Sequence, residues 1–235
     1  MKLEFRPKAI LFDLDGTLLH TLPQLSLAAI AVARDMGLEP PSVENMSHYV
    51  GNGLNMLLCR IILGRHDVRV EEVPEEQLNQ ARELFSRHYT RGLSTDFEVF
   101  EGVREGFDWF KAHGIKLGVV TNKPHVYAVP LLSYAGLTPY LGGILGGEVL
   151  KERKPAPEPL YHVLRELGVE PADALMVGDS ISDVNAARAA GMPCVAFTYG
   201  YDGGFDLRTT CDPDYLFDSF GQLTELIKSL PERQA

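Results

Sequence analysis

Three short apolar runs in this chain each stop on a side chain able to hold a ligand. Ala9-Ile10-Leu11-Phe12 runs into Asp13, Leu117-Gly118-Val119-Val120 into Thr121, and Ala174-Leu175-Met176-Val177 passes through Gly178 into Asp179. Unbroken runs, unlike alternating ones, suit strands buried on both faces, as in a parallel sheet covered by helices. Pro193-Cys194-Val195-Ala196-Phe197 reads the same way. Helical patterns lie between the runs, from about Gly102 to His113, Pro124 to Gly136, Pro157 to Gly168 and Ser182 to Gly191. Several open near a proline and close on a glycine, the expected punctuation. The alternation predicts an α/β fold, a doubly wound parallel sheet with a Rossmann-like core. Ligands of such sheets bind outside the carboxyl ends of the strands, so Asp13, Thr121 and Asp179 are expected to meet at one edge.

Between the first run and the second, the periodicity is helical throughout. Leu54, Leu57, Leu58, Ile61 and Ile62 form one apolar helix face. Leu22, Leu25, Ala29, Val32 and Met36 form another, opened by Pro23 and closed by Gly37, and a further helix runs from Pro74 to about Gly92. The expected organisation is an α/β core of residues 1–20 and 93–235, with a helical cap domain of residues 21–92 inserted after strand one. Hinges are expected near Leu18–Leu22 and Leu93–Phe100.

The chain has 235 residues, with 22 Lys and Arg against 32 Asp and Glu, a formal charge of −10. That balance argues against nucleic acid or an anionic membrane as partner, but not against a small anionic substrate held locally. Cys59, Cys194 and Cys211 form no CxxC pair, so neither a disulfide framework nor a cysteine zinc site is expected. No apolar stretch approaches the ~18 residues of a membrane span. The apolar run after the basic start ends at Asp13, short for a signal peptide. A cytoplasmic protein is expected, as monomer or homodimer.

Asp13 and Asp15 stand two apart and precede Gly16-Thr17, where the chain must turn; Asp183 follows Asp179 by four, close to one helical turn. Singly, each carboxylate reads as a turn or helix cap. Together, four at one edge repel strongly, so either several are protonated or a divalent cation sits among them. Magnesium suits the second case, since it takes oxygen ligands and commonly shares carboxylates with a substrate phosphate. With Lys154 nearby, such an edge could receive a phosphoryl group.

Asp13-Leu14-Asp15-Gly16-Thr17, Thr121-Asn122-Lys123-Pro124, Lys154-Pro155 and Gly178-Asp179-Ser180-Ile181-Ser182-Asp183 resemble the four motifs of the haloacid dehalogenase superfamily, across nearly the whole chain. Val50-Gly51-Asn52-Gly53, Ala187-Arg188-Ala189-Ala190-Gly191 and Tyr199-Gly200-Tyr201 resemble its phosphoglycolate phosphatase branch. The resemblance implies a magnesium-dependent phosphatase acting through an aspartyl-phosphate on a small phosphate ester, 2-phosphoglycolate first. It makes Asp13 the nucleophile, Asp15 the acid and base, Thr121 and the Asn122 amide the phosphate holders, and Lys154 the charge partner. Asp179, Asp13 and the Asp15 carbonyl would ligate Mg2+, with Asp183 ligating or orienting. Asp15 favours ester chemistry over dehalogenation. The absence of lysine from Ala9 through Phe110 excludes a Schiff base supplied by the cap, as phosphonoacetaldehyde hydrolases of the superfamily use.

His20 stands where this branch usually carries an acid, and reads either as a hinge residue or as a substrate contact. Gly51, Asn52 and Gly53 read both as a turn, with Asn52 capping the helix from Leu54, and as a loop over the substrate. Seven arginines (Arg34, Arg60, Arg65, Arg69, Arg82, Arg87 and Arg91) are expected as solvated helix residues, one of which could pair with a substrate carboxylate. Trp109 reads as helix core with Phe107 and Phe110. The rivals are a phosphatase for another sugar or amino-sugar phosphate, a sugar phosphomutase, and a non-catalytic phosphometabolite-binding regulator.

Overall fold

The computed structural model describes residues 2–201 and 206–232. The ends of the expected core, residues 1 and 233–235, and the segment 202–205 lie outside the described residues. In chain order the elements are β1 (Ala9–Phe12), β2 (Leu19–His20), α1 (Leu22–Asp35), α2 (Val43–Tyr49), α3 (Leu54–Leu63), α4 (Glu75–Gly92), β3 (Glu98–Val99), α5 (Val103–Ala112) and β4 (Lys116–Pro124). There follow α6 (His125–Tyr134), β5 (Leu141–Gly147), α7 (Glu158–Leu167), β6 (Ala174–Gly178), α8 (Ile181–Ala189), β7 (Cys194–Phe197), α9 (Leu207–Thr210), β8 (Tyr215–Phe217) and α10 (Phe220–Ser229).

Six strands form one sheet in the order β5-β4-β1-β6-β7-β8, parallel at every pairing. After β1 the chain builds outward on one side through β4 and β5, then returns to build the other side from β6. The order therefore reverses at β1, the switch point where such sheets leave a crevice. Successive residues of β1 enter different cores, as strand pleating requires. Ile10 and Phe12 join Phe107, Phe110 and Phe220 from α5 and α10, whereas Ala9 and Leu11 meet Leu160, Val163, Val184 and Ala187 from α7 and α8. Both faces are thus covered, which accounts for the unbroken apolar runs.

The expected strands appear where the apolar runs placed them, and β4 is longer, reaching Pro124. Edge strand β5 is hidden by its four glycines. A Cβ on Gly143 would lie 2.7 Å from Glu166 Oε2 and 3.0 Å from Val163 Cγ1, so the bare backbone lets α7 pack close. Trp109 departs from the expected core position. It is half-buried, stacked on His113 with centroids 3.8 Å apart and roofed by the Arg6 guanidinium at 5.2 Å. The three cysteines are buried and free. Among the described residues no helix is long and apolar enough to cross a membrane.

Helices α1 to α4 occupy the stretch between β1 and β3 and share one apolar core with the α5 side of the sheet. Where the chain leaves and re-enters the sheet layer, β2 and β3 pair antiparallel, Leu19 with Val99 and His20 with Glu98. This ribbon falls on both expected hinges.

Candidate active site

The carboxyl ends of β1, β4 and β6 bring Asp13, Thr121 and Asp179 together, all buried. One oxygen each from Asp13, Asp179 and Asp183 lies within 4.8 Å of the others. Lys154 enters from the loop before α7, its side chain 1% exposed, with Nζ 3.0 Å from Asp13 Oδ1 and 2.6 Å from Asp183 Oδ1. Nζ also donates to the Val120 carbonyl at 2.6 Å. One ammonium among three carboxylates leaves two negative charges uncompensated if all are ionised. Burial, outweighing the pull of Lys154 and reinforced by Asp183, pushes the Asp13 carboxyl up to about 6. Burial and the charges of Asp13 and Asp183 push Asp179 well above the usual carboxylate range. Burial works against the charge on Lys154, yet its two carboxylate neighbours prevail and hold it at about 12.

The hydrogen bonds sort these carboxylates. Asp183 is satisfied, since Oδ1 accepts from Lys154 while Oδ2 accepts from Asp179 N, Ser180 N and Ser180 Oγ at 3.2, 3.0 and 2.6 Å. Asp179 accepts from Thr17 Oγ1 and from the Tyr201 amide, both at 2.6 Å. Asp13 Oδ1 is buried and, despite its ion pair, accepts no hydrogen bond. Gly16 allows the close fit: its φ is +81°, and a Cβ there would lie 2.2 Å from Asp179 Oδ2. Two oxygens with spare lone pairs beside an orphaned buried one, in a cluster of surplus negative charge, suit a small oxygen-liganded cation. Asp13 and Asp179 fit direct ligation, and Asp183 fits an orienting part.

Above this edge lies a cavity of about 50 Å³. Asp13, Asp15, Thr121, Asn122 and Lys123 line one side, and Gly51 and Gly53 with Leu25, Leu57, Phe85 and Tyr89 the other. Thr121, Asn122 and Lys123 face it consecutively, which a regular strand cannot achieve; the β4–β5 register breaks between Val120 and Pro124. Lys123, the third residue of Thr121-Asn122-Lys123-Pro124, has no role implied by the family resemblance. Its Nζ bonds both Asp15 oxygens, at 2.9 and 3.0 Å, and lies 4.8 Å from the Tyr89 ring centroid. Asp15 Oδ1 also accepts from Thr21 Oγ1 at 2.6 Å.

His20 and Asn52 do not line the cavity. The Tyr201 hydroxyl accepts from the Thr21 and Leu22 amides, both at 3.0 Å, which leaves its one hydrogen for His20 Nδ1 at 2.9 Å. His20 thus sits in the β2–β3 ribbon, its ring held by that bond, with the Nε2 side left to carry the proton of the neutral ring. The expected cap by Asn52 is also corrected: Gly53 is the N-cap of α3, and Asn52 Oδ1 accepts instead from Arg60 Nη2 at 2.9 Å. Arg60 departs from the solvated state expected of the arginines. It is 4% exposed and also donates to the Tyr49 and His66 carbonyls at 2.6 and 3.0 Å. None of the seven arginines lines the cavity.

The family described as haloacid dehalogenase-like hydrolase matches residues 10–197. Phosphoglycolate phosphatase of Thiobacillus denitrificans is 40% identical over 221 residues, covering 94% of this chain and 95% of the relative. Phosphoglycolate phosphatase 1 of Pseudomonas aeruginosa is 38% identical over 198 residues, covering 84% and 72%. A crystal structure of a predicted phosphoglycolate phosphatase from Haemophilus somnus superposes with a TM-score of 0.86 at 32% identity, covering 96% of this chain and 99% of that one. The chain belongs to the haloacid dehalogenase-like hydrolase family and is an enzyme of its phosphatase branch.

Proposed function

We propose that this protein hydrolyses the phosphate monoester of a small hydroxy acid, 2-phosphoglycolate, through an aspartyl-phosphate on Asp13. The observation that carries the reading is the buried Asp13 Oδ1, which accepts no hydrogen bond and stands at the carboxyl end of the central strand beside Lys154. A carboxylate oxygen with unused lone pairs is free to attack phosphorus. Thr121 and the Asn122 amide hold phosphoryl oxygens, and Lys154 offsets the charge of Asp13 and of the transferring group. Asp15, on the cavity wall, gives its proton to the leaving alkoxide, then takes one from the water that cleaves the acyl phosphate. Mg2+, held by Asp13, Asp179 and the Asp15 carbonyl and oriented through Asp183, supplies charge neutralisation when bound. Residues 21–92 act as the cap that excludes water while the ester is open to attack. The relatives' names support the choice of substrate. So do the apolar walls at Leu25, Leu57 and Phe85, which give a row of sugar hydroxyls little to bond with.

The test is phosphate release by purified protein with Mg2+, comparing 2-phosphoglycolate with sugar and nucleotide monophosphates. A preference for phosphoglycolate that chelation abolishes is expected. Turnover indifferent to chelation removes the cation, and activity confined to sugar phosphates removes the substrate.

The cluster also predicts a pH-dependent effect of the cation on stability. Asp13 has its folded value, about 6, above the ordinary 3.8. The folded protein thus holds that proton more tightly, and the metal-free form loses stability as pH rises through about 6. Bound Mg2+ takes the proton's place. At pH 8, Mg2+ near 100 times its dissociation constant should add about 2.7 kcal/mol, roughly 5–10 °C in Tm for a chain of this length. At pH 5 the increment should shrink to a small fraction. Melting curves with and without Mg2+ at both pH values check this, and an increment that grows on acidification would contradict it.

A further inference from the structure

We propose that Lys123 is the specificity-determining residue of this site, the cation that receives the second negative charge of the substrate. The inference rests on the phosphatase reading above and names what lets it distinguish a carboxylated ester from a neutral one. An anion that leaves water for a cavity walled by Leu25, Leu57 and Phe85 needs a charged partner there. Among the described residues lining that cavity, Lys123 is the only cation. Lys154 stands behind Asp13 rather than on the wall, and the arginines of residues 21–92 are elsewhere.

The position fits a short substrate. Lys123 follows Thr121 by two residues on the same strand, no more than about 7 Å along the chain. A molecule whose phosphate sits against Thr121 and the Asn122 amide therefore reaches Lys123 with a two-carbon body. Lys123 is also preorganised. Its side chain is 3% exposed, with Nζ held between the Asp15 carboxylate at 2.9 Å and the face of Tyr89 at 4.8 Å. Tyr89 is fixed in turn by its hydroxyl, which donates to Gln24 Oε1. An ammonium has three donors: two meet the Asp15 oxygens, and the third, turned to the Tyr89 ring, is the one a substrate carboxylate would take. Tyr89 belongs to α4 and Lys123 to β4, so this contact joins the helices of 22–92 to the sheet. The substrate's second charge is then met only where the two are packed together.

One exposed competitor stands near the loop. Arg153 Nη1 lies 3.4 Å from where a Cβ on Gly53 would be. The experiment compares kcat/KM for 2-phosphoglycolate and for 2-hydroxyethyl phosphate, the same skeleton with a neutral end, in the unmodified protein, in Lys123→Met and in Arg153→Gln. The unmodified protein should prefer the carboxylated ester, and Lys123→Met should cut that ratio by about 10- to 100-fold, as loss of a charge-assisted hydrogen bond requires. The loss should fall mainly on KM for phosphoglycolate. Because Lys123 also holds Asp15, both substrates will slow in the variant, and only the ratio reports recognition. An unchanged ratio in folded Lys123→Met, or its collapse in Arg153→Gln, overturns the inference while the phosphatase reading stands. Arg153 is exposed, so that arm reads out even where Lys123→Met melts. No preference in the unmodified protein would instead remove phosphoglycolate as the substrate.

Discussion

Asp13→Asn is expected to cut phosphate release by at least about 10⁴-fold, as loss of a covalent nucleophile does, while the protein stays folded. An amide has the shape of the carboxylate but not its nucleophilic oxygen, so substrate is still admitted and no acyl phosphate forms. The fold should tolerate the exchange, because burial and Asp183 already work against a charge at this position. Removing one of three crowded carboxylates is therefore not expected to lower the Tm of the metal-free protein at pH 8. Two measurements belong together: steady-state phosphate release, and acid quenching after mixing with ester labelled in the phosphoryl group. Labelled protein from the unmodified chain and none from Asp13→Asn is the expected pair. Turnover above about 1% in the variant would place the nucleophile elsewhere. A regulatory protein that only binds phosphometabolites would show no turnover to lose.

The sheet was legible in the sequence because strands covered on both faces must be apolar throughout, and β1, β6, β7 and the stretch 117–120 of β4 are. Their polar terminators followed from topology alone, since every strand of the sheet runs the same way. Strands outside that rule left no such signal. Strand β5 is glycine-rich at an edge, and β8 spans three half-buried residues. Within the site, single-residue chemistry was legible but partnership was not. Nothing local tells that Arg60 turns inward to tie the Tyr49 and His66 carbonyls to Asn52, since helical position alone suited solvent equally well. Lys123 escaped assignment for a related reason. Its partners Asp15 and Tyr89 lie 108 and 34 positions earlier, and the break in β4 that turns three consecutive side chains to the cavity has no compositional mark. Tyr201 shows the same limit, because its amide bonds Asp179 while its hydroxyl bonds the first turn of α1 and His20.

Lys154→Met should be the most destabilising change at this edge, by about 3–5 kcal/mol near pH 8, the cost of removing one partner from a buried ion cluster. Methionine fills nearly the same volume, so the loss reports charge rather than a cavity. The ammonium lies within 3.0 Å of both Asp13 and Asp183, and without it the two carboxylates face each other across a dry gap. The folded value of Lys154, about 12, stands above the ordinary 10.5, so its stabilisation is complete below 10.5 and lost only as pH rises through 12. Between pH 5 and 9 the unmodified protein therefore draws a constant contribution from this lysine. The variant's deficit should not be constant. Asp13 already takes up its proton near pH 6, and losing the cation beside it strengthens that tendency, so the penalty should shrink as pH falls from 8 to 5. Urea unfolding of both proteins at the two pH values, without metal, measures the difference. A deficit of equal size at both would mean that packing rather than charge places Lys154 there. Turnover of the variant should fall by about 10³-fold with Mg2+ present, since the charge on the transferring group then loses a fixed partner.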